Sequence, residues 1–103
     1  MSVIIQLAIF PTDKGSSVSE YVSKAIEAII NTGVSFQLTS MSTIIETETL
    51  DEGLAIVALA NQAIEPFTDR IYITMTIDIR KGKSNRMQSK VDAINSIIGK
   101  QNQ

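Results

Sequence analysis

The run from Arg70 to Arg80, RIYITMTIDIR, alternates apolar and polar side chains without a break. With the two-residue period of a strand, Ile71, Ile73, Met75, Ile77 and Ile79 share one face, and Arg70, Tyr72, Thr74, Thr76, Asp78 and Arg80 share the other. A polar strand face meets water, a ligand or another subunit. At ~3.3 Å per residue the run would span about 36 Å, more than a domain of this length needs, so part of it is expected to serve an interface.

The chain has 103 residues, of which 44% are hydrophobic, enough for one domain (1–103) that buries a core without staples. It has no cysteine and no histidine. Disulfides, thiolate or imidazole metal sites, Ser-His and Cys-His nucleophiles and imidazole acid-base chemistry are therefore excluded. The opening MSVIIQLAIFPTDKG lacks the positive segment and small-residue cleavage site of a signal peptide, and no apolar run approaches the ~18 residues of a membrane span. A cytoplasmic location is the expectation. The net charge of -2 argues against nucleic-acid or membrane affinity. Residues 1–69 nevertheless carry two basic and nine acidic side chains, and residues 70–103 seven basic and two acidic. A compact fold would intermix these halves; alternatively, opposite charges meet between subunits.

Val3 to Phe10 is almost wholly apolar, as in a central strand, and Pro11 ends it. After a short loop, Ser17-x-x-Glu20 matches a capping box that opens a helix from Val18 to Asn31, with Gly33 at its C-terminal cap. Val34 to Thr39 alternates, with Val34, Phe36 and Leu38 inward, and Met41 to Glu48 is a weaker strand. Thr49-x-x-Glu52 opens a second helix, whose stripe is Ile56, Leu59, Ala60, Ala63 and Ile64 and which Pro66 stops. After Arg80 come a basic turn and a helix from Asn85 to Ile98, with a tail from Gly99 expected to fray. The order β-α-β-β-α-β-α predicts an α+β, ferredoxin-like βαββαβ fold. Its four-stranded antiparallel sheet carries both helices on one face, and a C-terminal helix is added. The strand at 70–80 then lies at an edge beside Val3 to Phe10. So long an edge invites covering by the last helix or by a second chain, and a homo-oligomer is expected.

With helices over the isoleucine face, the opposite face gathers Gln6, Ser42, Glu46, Glu48, Thr74, Thr76 and Asp78. Hydroxyls, an amide and carboxylates on one open sheet suit a polar or cationic small molecule, or simply water. Glu46 needs a partner to offset its desolvation: Arg70, Arg80 or a ligand. Asp78 and Arg80 share a face and suit an ion pair within or between subunits. Arg80, Lys81, Lys83 and Arg86 around Gly82 could hold an anion at the last helix, but GKS at 82–84 lacks the upstream glycine of a P-loop. Tyr72 alone makes no aromatic platform for RNA. Glu46 with Asp78 is the one carboxylate pair that could serve acid-base chemistry, and nothing in the spacing points to a reaction.

Three motifs in order carry a family resemblance. Pro11, Ser17, Val18, Ser19, Tyr21 and Val22 fit a P-x-G-x-S-V-S-x-Y-V-like pattern. Met41, Thr43, Glu46 and Glu48 fit M-x-T-x-x-E-G-E, and Arg70 with Asp78 and Arg80 fits R-V followed by D-x-R. The chain thereby resembles the small thiamine-binding family. That resemblance implies a ferredoxin-like subunit, assembly as a dimer of dimers, and non-enzymatic binding of thiamine or its hydroxymethylpyrimidine portion with no cofactor or metal. Ser19, Thr43, Glu46, Thr74 and Thr76 are the expected ligand residues, and Arg70, Asp78 and Arg80 the expected assembly or anion contacts. Thr47 replaces the family's glycine, and Ile71 its valine. Thr43 and Glu46, three apart, fall on opposite faces of an unbroken strand. The competing reading is a structural or regulatory oligomer with no ligand, its polar sheet face serving as subunit interface.

Overall fold

The computed structural model describes the backbone of residues 1–101 and the side chains of residues 1–99. The elements are β1 (Ser2–Pro11), α1 (Val18–Asn31), β2 (Ser35–Leu38), β3 (Thr43–Thr47), α2 (Leu50–Ile64), β4 (Ile71–Arg80) and α3 (Arg86–Gln101), with single 3-10 turns before α1 and after α2. All neighbouring strands are antiparallel in the order β2-β3-β1-β4. This is the ferredoxin-like α+β arrangement expected from the pattern, with an added C-terminal helix.

β1 is central because both of its faces are apolar. Val3, Ile5, Leu7 and Ile9 turn toward the helices and are buried with Ile45 of β3, Ala25 and Ile29 of α1, and Ile56, Val57, Ala60 and Ile64 of α2. Gly53 lets α2 lie close to the sheet. A Cβ there would stand 2.7 Å from Ile5 Cδ1 and 3.1 Å from Thr47 Oγ1. Thr47, in place of the family's glycine, points toward this helix rather than toward the open face, and its hydroxyl donates to Thr49 O at 2.8 Å. The threonine half of the second capping motif forms: Thr49 is extended and its Oγ1 accepts the Glu52 N–H at 3.1 Å, without a return bond from the Thr49 N–H to the Glu52 carboxylate among the described residues. The first does not form. Ser17 closes a 3-10 turn with φ -92° and ψ 13°, so it lacks the extended backbone from which a cap oxygen reaches back to the helix. Gly33, at φ 78°, supplies the left-handed turn after α1, and its N–H donates to Ile30 O.

Three packing expectations need correction. Phe36 and Leu38 do lie on the helix side of the sheet, paired with Ile45 and Thr43, but β2 is an edge strand and both remain exposed. Leu59 is likewise exposed, and Val57 takes its place in the α2 stripe. More consequential is β4. Its isoleucine face is on the helix side, yet α1 and α2 pack over β1 and β3 and stop short of it. Ile73, Met75, Ile77 and Ile79 are left 37–48% exposed. Nor does α3 cover them. Arg86 and Met87 pack at the end of the sheet, and from Gln88 to Gly99 the helix is exposed, including Val91, Ile94, Ile97 and Ile98. The helix continues through Gly99 to Gln101, where a frayed tail was expected; Asn102 and Gln103 lie outside the described residues. Among the described residues no helix is long and apolar enough to cross a membrane.

Candidate functional site

The two ends of the sheet carry different chemistry. At one end, Glu46 of β3 and Asp78 of β4 lie on the open face with Ser2 of β1, and together they hold the first turn of α3. The two oxygens of Glu46 accept the Arg86 N–H at 2.8 Å and the Met87 N–H at 3.0 Å, and Oε2 also accepts the Ser2 hydroxyl. A carboxylate at a helix start satisfies free amides and meets the positive end of the helix dipole. Burial pushes the Glu46 carboxyl up, but the bonds from Ser2, Met87 and Arg86 outweigh it and hold the group below its ordinary value. The Arg86 side chain is buried. It donates to Ser2 Oγ and Ser2 O at 3.0 Å, and to Asp78 Oδ2 and Asp78 O at 2.8 Å. Lys90 reaches the same Asp78 oxygen at 3.2 Å. The bonds from Lys90 and Arg86 hold the Asp78 carboxyl low.

These contacts answer two questions left by the sequence. The partner of Glu46 is neither Arg70 nor Arg80 but the start of α3, and Asp78 pairs with Arg86 and Lys90 rather than with Arg80. Arg86, read as part of an anion-holding turn, is instead consumed by the fold. Arg70 and Arg80 make no ion pair among the described residues.

At the other end, β1 outlasts β3. The last β1–β3 pair is Leu7↔Thr43, whereas the β1–β4 ladder runs on to Pro11↔Ile71. The β2–β3 hairpin turns tightly through Ser40 and Met41, with the Thr39 N–H donating to Ser42 O at 2.8 Å. Between this turn, the end of β1 and α1 lies a cavity of about 230 Å³. Leu7, Ile9, Val18, Val22, Ile26 and Leu38 make its walls apolar, and the hydroxyl-bearing residues Thr39, Ser40, Ser42 and Thr43 border it on one side. A second recess of about 280 Å³ opens on the other face of the sheet, lined by Gln6, Thr74 and Thr76. Ala8, Met41 and Ser42 border both. Gln6 Nε2 donates to Ser42 Oγ at 3.1 Å across the second recess.

The expected ligand residues are thus dispersed. Thr43 is buried on the helix side and lines the cavity; Thr74 and Thr76 line the recess on the open face. Glu46 lies at the far end of β3 from both, on the face opposite Thr43, because the β1–β3 register has no bulge to realign them. Ser19 is exposed on the first turn of α1, next to Val18 of the cavity wall. The pattern gave no sign of Val18, Val22 and Ile26 as lining residues, since apolar residues at helical spacing read as core.

The strand order and the helices on one face define a ferredoxin-like α+β domain, and comparison with known proteins places it further. The thiamine-binding protein family matches residues 5–95, and the chain belongs to that family. An uncharacterised relative (UPF0045) from Methanocaldococcus jannaschii is 35% identical over 95 residues, covering 92% of this chain and 94% of that protein. One from Methanothermobacter thermautotrophicus is 32% identical over 98 residues, covering 93% and 99%. The crystal structure of a hypothetical protein from M. jannaschii superposes with a TM-score of 0.81 at 35% identity, covering 91% of this chain and 96% of that one. A Thermotoga maritima protein, whose description proposes thiamine biosynthesis or salvage, superposes with a TM-score of 0.80 over 91% of this chain and 99% of its own. At 22% identity it speaks to the fold alone.

Proposed function

We propose that this protein binds thiamine or a related aminopyrimidine in the cytoplasm, without catalysing a reaction on it. The observation that carries the reading is the cavity at the end of β1, apolar on its walls and hydroxyl-bearing on one side, in a chain of the thiamine-binding family. A flat heterocycle suits such walls, and a few placed polar groups fix its orientation. Thiamine has two rings joined through one carbon, and two recesses share the border of Ala8, Met41 and Ser42. In this reading the pyrimidine enters the cavity beside Thr43, and the second ring lies over Thr74 and Thr76. Ser19 stands at the rim. Glu46 acts on the ligand end only through the fold, since its oxygens are taken by α3.

The subunit assembles as a homo-oligomer in this proposal. Two separate apolar surfaces, the isoleucine face of β4 and the stripe on α3, suit the two interfaces of a dimer of dimers. Arg70 and Arg80, at the two ends of β4, are placed for contacts between subunits.

Calorimetric titration with thiamine and with hydroxymethylpyrimidine tests the ligand. Saturable heat at sub-millimolar to millimolar concentration is expected with both, and absence of heat and of any rise in melting temperature contradicts the reading.

A further inference from the structure

The end of β1 leaves one residue of main chain bare toward the cavity. In an antiparallel ladder successive residues aim their N–H and C=O to alternate sides. Thr12 N–H donates to Arg70 O at 3.0 Å, on the β4 side, and the β1–β4 register is unbroken from Ser2 to Pro11. Even-numbered residues of β1 therefore bond β4, and Val3, Ile5, Leu7, Ile9 and Pro11 face β3. β3 ends its pairing at Leu7↔Thr43. Ile9 would next pair with Met41, but the hairpin turns its polar groups on itself. Thr39 Oγ1 accepts the Met41 N–H at 3.3 Å and the Ser42 N–H at 3.0 Å. Among the described residues nothing takes the place of that partner. Pro11 has no N–H, so Ile9 offers the only free donor on this stretch of edge. Ile9 is 6% exposed and lines the cavity. Buried main-chain groups are almost always paired, and a bare pair facing a cavity is placed for a ligand.

We propose that the N–H and C=O of Ile9 read the edge of the bound heterocycle, the N–H donating to a ring nitrogen and the C=O accepting from the adjacent amino group. The two groups belong to one extended residue and point the same way, a donor beside an acceptor. An aminopyrimidine presents the complementary acceptor beside a donor. The ligand then stands where Met41 would stand in a longer β3, with one ring face against Val18, Val22 and Ile26 of α1. The cavity accordingly selects planar rings with an amino group next to a ring nitrogen, and discriminates against rings of the same shape lacking either atom. This inference rests on the aminopyrimidine reading above and specifies how the ring is recognised.

The test uses hydroxymethylpyrimidine and two analogues, one without the amino group and one with carbon in place of the adjacent ring nitrogen. Each deletion removes one hydrogen bond and is expected to weaken binding about 10-fold. In the ¹⁵N-labelled protein, the Ile9 amide should shift downfield and exchange more slowly with the parent pyrimidine. An amide-to-ester replacement at Ile9 should lower affinity about 10-fold but lower the melting temperature of the free protein only slightly, through the weaker Ala8 carbonyl that faces β4, because the Ile9 N–H has no partner to lose. The same replacement at Leu7, inside the β1–β3 ladder, removes a paired N–H as well and should lower the melting temperature further. If the pyrimidine binds while the Ile9 amide is unmoved and both analogues bind within twofold, main-chain recognition is overturned and the binding function stands. If neither thiamine nor the pyrimidine binds, both fall together.

Discussion

Replacing Glu46 by glutamine tests the separation between the two ends of the sheet. The carboxylate accepts two amide protons of the first turn of α3, from Arg86 and Met87, and the Ser2 hydroxyl. Glutamine keeps one oxygen, so one amide loses its acceptor and meets an NH2 group instead. A hydrogen bond to a charged group contributes about 1.5–3 kcal/mol and a neutral one about 1 kcal/mol. The helix-dipole interaction adds about 0.3–1 kcal/mol. Water can replace part of this at a half-exposed site, which leaves a net loss of about 2 kcal/mol. Because α3 beyond Met87 is exposed, the loss should fall on local opening of that helix rather than on the core. Amide hydrogen exchange reads it directly. Residues 89–92 should exchange about 30-fold faster at about 2 kcal/mol, with Ile5 and Ile45 unchanged. Thiamine affinity should stay within twofold of the parent. Uniform acceleration across α3 and the core would refute the local anchoring, and a tenfold loss of affinity would return Glu46 to the ligand.

Lowering the pH should loosen the same anchor. Glu46 and Asp78 both have lowered pKa values, so their stabilisation is full above the ordinary carboxylate range and is lost as pH falls through the lower folded values. The Met87 amide shift should titrate with a midpoint below 4.5, the ordinary value for glutamate, and a midpoint at or above it contradicts the bonding described. Gly53→Ala places a methyl against Ile5 and Thr47; overpacking of about 1–3 kcal/mol, less up to about 1 kcal/mol gained in helix propensity, should give about 1 kcal/mol net destabilisation in urea melts. Ile77→Lys puts a charge in the middle of the bare β4 face. It should shift sedimentation toward a smaller species at unchanged helix content, and an unchanged mass would remove that face from the assembly.

How much could be read from the sequence follows from the range of each interaction. The alternation at 70–80 and the apolar stripes of α1 and α2 act over a few residues, and they located the elements to within a residue or two. The partners of Glu46 lie 40 to 44 residues away, at Arg86, Met87 and Ser2. No local spacing could pair them, although the cost of an unpaired acid in a strand did signal that a partner must exist. The cavity escaped for another reason. Met41 to Glu48 reads as strand by composition, but the Thr39 hydroxyl gathers the amides of Met41 and Ser42, and β3 begins only at Thr43. Two residues of missing strand open the space beside Ile9. The exposure of β4 was likewise hidden, because an isoleucine face reads as buried whether a helix or a second chain covers it.

The most direct measurement is a calorimetric titration of thiamine into the protein and into its Val22→Phe variant. Val22 faces the cavity from α1 and is only partly buried, so phenylalanine fills the space at little cost to the core. Saturable binding to the parent, and at least tenfold weaker binding to a variant with the same melting temperature, is the expected result. Equal affinity for both proteins would place the ligand elsewhere and contradict the cavity as its site.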